Sequence, residues 1–166
     1  MNIPHFTDYA KHCNRIDTAF RHLPDFNADA VFSAWDEGDL FSPDWDPKQL
    51  LLRWWINVAA HMSVAAVLGF KLAEVMHAGL ARDSVSLRNV VEALLIHDWN
   101  KRDESFWIER TQDLDRVHDY HQEAKVKLRQ WFPEVVVNLI EATGDSGVRL
   151  AEKRKLTLAE QIVFYT

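Results

Sequence analysis

Between Lys48 and Gly79 the chain contains no proline and one interior glycine, Gly69. Its apolar residues there (Leu51, Leu52, Trp55, Val58, Ala59, Met62, Ala65, Ala66 and Leu72) recur at helical spacings. A long segment with that period buries one stripe as a helix, and an alternating strand pattern cannot be drawn through it. The whole chain has only 5 Gly and 5 Pro in 166 residues, too few turn formers for a sandwich or barrel of many short strands. The expected fold is all-α, a helical bundle of one-domain size.

The same reading places the other elements. A first helix is expected over about residues 7–22, stopping before Pro24, and a second from Asp29 to Trp35. DEGDLFSPDWDP (36–47), acidic and broken by Gly38, Pro43 and Pro47, is expected to be a solvated loop, since its carboxylates do not follow calcium-loop spacing. Ser84 or Ser86 would cap a helix running to about Asp98. Further helices are expected over 112–131 and 133–142, with Pro133 in the first turn, and GDSG (144–147) is expected to turn. Thr157 and Glu160 form a capping box for a last helix, whose apolar stripe continues to Thr166, as expected of a domain that extends further in a longer parent chain. The division expected is an N-terminal helical extension with its acidic loop (1–47) and a helical domain (48–166), together one structural unit.

Charge narrows the partners. The net charge is −6, with residues 1–50 carrying 4 Lys/Arg against 9 Asp/Glu. The one basic cluster, Arg149, Lys153, Arg154 and Lys155, reads as a solvated turn. A nucleic-acid duplex is a poor partner for such a surface, whereas a small phosphorylated ligand is compatible with it. Cys13 is the only cysteine, which excludes a disulfide framework and a cysteine-rich zinc site. The start, MNIPHFTDYAKHCNR, lacks the basic and apolar regions of a secretion signal, and no apolar run reaches bilayer length. A cytoplasmic protein with no membrane partner is expected, and a homodimer is left open.

The segment richest in chemistry is ALLIHDWNK (93–101), where an apolar helix runs into His97-Asp98 with Lys101 three residues on. An ionisable pair at the end of a buried helix needs partners, because an isolated buried charge is costly. A divalent cation held by imidazole and carboxylate is one answer. An ion pair of Asp98 with Lys101 or Arg102, and a His97 that merely caps the helix, is the other. His61 lies among small and apolar residues in RWWINVAAHMSVAAVLGFKLAE (53–74). Alone it reads as a satisfied core histidine; packed against the end of the helix carrying His97-Asp98, it would complete three ligands. Trp99 reads as core, with stacking on a substrate ring as the competing role.

His61 followed 36 residues later by His97-Asp98 in an LLxHDxxK setting resembles the HD superfamily of metal-dependent phosphohydrolases over about residues 50–166. The resemblance implies that His61, His97 and Asp98 ligate one divalent metal (Mn, Mg, Co, Fe, Ni or Zn), which acidifies a water and polarises a phosphoryl oxygen. It implies that Asp98 also orients that water and that Lys101 offsets phosphate charge. Arg53, which precedes Trp54 as in nucleotidase-like members, would be a second phosphate contact. His121, with His118 on the same helix face, would face solvent or substrate rather than a second metal. The family's fourth ligand, a late aspartate, has no counterpart after Asp145, although LTLAEQIVFYT resembles the approach to it. The expected activity is hydrolysis of a nucleotide or other small phosphoester. The alternatives are a non-catalytic binding or signalling module of the same fold, for instance one sensing a nucleotide second messenger, and a purely structural helical domain.

Overall fold

A computed structural model of the chain describes residues 14–38, 58–79, 86–99 and 122–166. The described residues form eight helices and no strand, so the chain is an all-α bundle. They are α1 (14–20), α2 (Ala28–Glu37), α3 (Val58–Gly79), α4 (Leu87–Ile96), α5 (122–128), α6 (Glu134–Leu139), α7 (Gly144–Lys153) and α8 (Leu158–Tyr165). A 3-10 turn, Ile140–Ala142, extends α6.

The ends of these helices follow local chemistry. Pro24 stops α1, and the turn after it carries Asp25 in the left-handed region (φ 59°), which a short polar side chain tolerates. Asn27 caps α2 by accepting from the Ala30 N–H at 3.0 Å. Ser86, rather than Ser84, caps α4 by accepting from the Asn89 N–H. The Thr157–Glu160 capping box opens α8 as expected.

Two expectations are corrected. Asp36 and Glu37, assigned to the acidic loop, are the last residues of α2, because the first residue that disfavours helix is Gly38, whose N–H still donates to Ala34 O at 2.9 Å. GDSG is the first turn of α7 rather than a separate turn: Gly144 takes φ 49°, which redirects the chain, and Gly147 N then donates to Thr143 O. Two of the basic cluster, Arg149 and Lys153, therefore lie on α7. The parts of the expected helices at 7–13, 48–57 and 112–121, and the remainder of the acidic loop, lie outside the described residues.

At the centre of the bundle lies α4. From Val90 to Ile96 all its residues are buried, and α2, α3, α6 and α8 pack around it. The buried residues of α3 include the small Ala59, Ala65, Ala66 and Ala73, and Gly69 lies directly against Leu94 of α4. A Cβ added at Gly69 would overlap the buried Leu94 Cδ1. Apolar residues of α1, α2, α3, α4, α5, α6 and α8 join one continuous core, with Trp35 and Trp99 among its largest members. Glu92, wholly enclosed in α4, accepts from Arg88 Nε at 2.9 Å and from the Asn27 N–H at 3.3 Å. It thereby joins the start of α2 to the middle of α4. No helix among the described residues is long and apolar enough to cross a membrane.

Two consequences are measurable. Gly69→Ala should cost about 1–3 kcal/mol in urea unfolding, because Leu94 has no free space into which to move. Glu160 accepts two bonds from the Arg154 guanidinium, at 2.9 and 2.5 Å, and bonds from the Thr157 N–H and hydroxyl. Chiefly through Arg154, its carboxyl is held down to about 2 from an ordinary 4.5. A depressed folded-state value stabilises above the unfolded value and is lost as pH falls through the folded one. Glu160→Gln should thus lower stability at pH 7 by about 1–2 kcal/mol, and the gap to wild type should narrow between about pH 4.5 and 2.

Candidate metal centre

A helix of ten residues leaves its last carbonyls without intrahelical partners, and at the buried C-terminus of α4 water cannot serve them all. Each of the final three has a partner among the described residues. Leu94 O accepts from His97 Nδ1–H at 2.7 Å, Leu95 O from Trp35 Nε1–H of α2 at 2.6 Å, and Ile96 O from the Trp99 N–H at 3.1 Å. The turn 97–99 is thereby fixed from both sides. Because a carbonyl only accepts, the Leu94 bond puts a proton on His97 Nδ1 and turns Nε2 outward.

His61, on α3 and partly exposed, meets this turn. Its Nε2 lies 3.4 Å from Asp98 Oδ2, while His97 Nε2 lies 3.6 Å from Asp98 Oδ1. The imidazole centroids are 5.2 Å apart and tilted by 61°. One donor atom from each of His61, His97 and Asp98 falls within 4.8 Å of the others. Bonds of about 2.1 Å in a tetrahedral arrangement would separate donors by about 3.4 Å, so the spacing suits a small divalent cation. Asp98 is 5% exposed, a charge whose burial requires compensation. The His97–carbonyl bond is the second-layer contact that commonly orients a metal-binding imidazole.

The structure thus brings together the three residues expected as ligands. His97 does also cap α4, and the Nδ1–H bond that caps it leaves Nε2 on the side where a metal could be held. Arg53, Lys101, His118 and His121, and the expected partner Arg102, lie outside the described residues. Trp99 is 2% exposed, which excludes stacking on a substrate ring and leaves the core role. Its Nε1–H donates to Ala34 O, Trp131 packs on it at 6.4 Å, and Lys127 Nζ lies 5.8 Å from its ring centre.

One wall of the site escaped the sequence reading. Lys125 of α5 is buried and pairs with Glu141 of the 3-10 turn; with His97 they line a cavity of about 10 Å³, room for about one water. The sequence signal was faint: a lysine on the apolar side of 122–128, with its partner sixteen residues away.

No family model, curated protein or solved structure matches the chain.

Removing either member of the Lys125–Glu141 pair should have unequal effects. Glu141→Ala strands the buried ammonium and should cost about 3 kcal/mol in denaturant unfolding, whereas Lys125→Met leaves a partly exposed carboxylate to water and should cost less than half of that.

Proposed function

We propose that this chain is a metal-dependent phosphohydrolase of the HD type, acting on a nucleotide or other small phosphoester in the cytoplasm. The observation that carries the reading is the convergence of His61 on α3 with His97 and Asp98 in the turn after α4, residues that the resemblance to the HD superfamily had grouped. Two imidazoles and one carboxylate form a donor set suited to a first-row divalent cation, and three protein ligands leave coordination positions open. Such a cation, when bound, supplies an acidified water and a positive charge for a phosphoryl oxygen.

The chain's own residues then divide the work. His61 and His97 contribute neutral nitrogen donors, the second held in register by the Leu94 carbonyl. Asp98 orients the attacking water and takes its proton as the oxygen adds to phosphorus and the P–O bond to the leaving group breaks. In this reading Lys101 and Arg53 offset the charge that grows on the phosphoryl oxygens, and His121 faces the substrate.

Elemental analysis of chain purified without chelator tests the first step. About one divalent transition metal per chain is expected, together with a higher melting temperature for the loaded protein than for the stripped one. His97→Ala should abolish metal binding and leave the far-ultraviolet circular dichroism largely unchanged. A manganese-supplemented panel of nucleotides and simple phosphomonoesters tests the second step. Bound metal without turnover would replace the enzyme by a binding module of the same architecture. A chain that takes up no metal when manganese or nickel is supplied, and whose melting is indifferent to chelator, would reduce the cluster to a structural hydrogen-bonded group.

A further inference from the structure

We propose that α2 is part of the metal centre's positioning machinery: a reciprocal pair of tryptophan–carbonyl bonds between α2 and the end of α4 holds the His97-Asp98 turn in ligating geometry. The inference rests on the metal reading above and adds residues to it that touch no ligand.

The bonds run in opposite directions between the same two segments. Trp35 of α2 donates to Leu95 O near the end of α4, and Trp99, just beyond the turn, donates back to Ala34 O of α2. Ala34 and Trp35 are adjacent in sequence, so neither bond can slip without straining the other. Both indoles are buried, where no water competes for the carbonyls; loss of the Trp35 donor takes a bond from Leu95 O, and loss of the Trp99 donor leaves Ala34 O with the Gly38 N–H alone.

The position of Trp99 converts this clasp into control of the site. Trp99 follows Asp98 directly, so an immobile indole fixes the backbone on one side of the carboxylate, as the His97–Leu94 bond fixes it on the other. With the backbone fixed on both sides, Asp98 holds Oδ2 at 3.4 Å from His61 Nε2 and Oδ1 at 3.6 Å from His97 Nε2. The last part of the device is Gly38, at the end of α2. A Cβ there would stand 2.9 Å from Trp99 Nε1, closer than real Cβ atoms approach, and 3.1 Å from Trp99 O, a tight contact. Its φ of −66° is open to any residue, so glycine is needed there for the space beside Trp99 rather than for backbone freedom.

Titration of the full chain with Co²⁺, followed by its visible absorption, reads affinity and ligand geometry together. Trp99→Phe keeps an aromatic ring but removes the N–H donor. Gly38→Ala removes no group and only presses on the indole. Each is expected to weaken Co²⁺ binding by about tenfold and to alter the band shape, as loss of outer-layer support does at metal sites. Thr157→Ala, which removes the cap of α8, serves as a destabilised comparison and should lower the melting temperature while leaving affinity within about twofold. If Trp99→Phe fails to fold, Gly38→Ala and Trp35→Phe carry the test. Unchanged affinity and spectrum in the folded clasp variants, or an equal loss in Thr157→Ala, would overturn the positioning role while leaving the metal centre standing. A wild-type chain that binds no Co²⁺ would instead overturn the metal reading, and the clasp's function with it.

Discussion

The arrangement depends on a helix that ends in the protein interior. An exposed C-terminus lets water complete the last carbonyls; the end of α4 has to find donors within the chain. It finds them in His97, in the Trp99 backbone and in Trp35 of a different helix. The same three bonds that satisfy α4 also decide where His97 and Asp98 point. Completing a helix and building a candidate site are here one physical problem, which is why α2, sixty residues earlier in the chain, takes part in both.

Close packing of α3 on α4 is the second requirement. His61 reaches Asp98 where α3 and α4 pack closely, and at Gly69 that approach leaves no room for a Cβ beside Leu94. The enclosed Glu92 adds a tether at the opposite end of α2, through the Asn27 N–H and Arg88. Its second oxygen, Oε2, has no hydrogen-bond partner among the described residues, so within them this tether retains part of its desolvation cost. Held at Glu92 and again at Leu95, α2 has little freedom to rotate about its own axis. That restraint is what lets Ala34 and Trp35 act as a fixed pair.

What the sequence made legible was mostly what is local. The period of 58–73, the serine cap before Leu87 and the Thr157–Glu160 box are local signals and each holds, whereas Pro133, expected in the first turn, is the extended N-cap just before α6. That His61, His97 and Asp98 would meet was legible for a different reason: a buried imidazole and carboxylate are costly and so drew notice, and the resemblance to the HD superfamily joined His61 to the pair. The tryptophan clasp was not legible. An indole in an apolar stripe looks the same whether its N–H meets a carbonyl across the core or lies at the surface, and the partners of Trp35 and Trp99 are main-chain atoms, which leave no side-chain trace in the sequence. Lys125 was missed for a related cause, because one lysine on a helix facing solvent elsewhere carries no mark of its pairing with Glu141. The acidic run misled at Asp36 and Glu37 because charge density was read as loop, although backbone bonds to Gly38 carry the helix through both residues.

The geometry of the triad makes its own demand. With Nδ1–H committed to Leu94, a neutral His97 turns a lone pair on Nε2 toward a carboxylate oxygen 3.6 Å away, and neither atom can donate to the other. Two negative ends meet there unless something positive stands with them. A proton on the imidazole, a cationic side chain beside Asp98 and a divalent cation among Nε2 of both histidines and Asp98 would each meet that need. The cation draws on all three groups together, whereas a proton on His97 addresses one edge of the carboxylate. The clasp bears on this difference: a ring free to turn could relieve a lone-pair conflict by rotating away, and the turn held between Leu94 and Ala34 leaves it no such exit. Rigidity at this point keeps the three donor groups converged, which is the arrangement the proposed metal reading draws on.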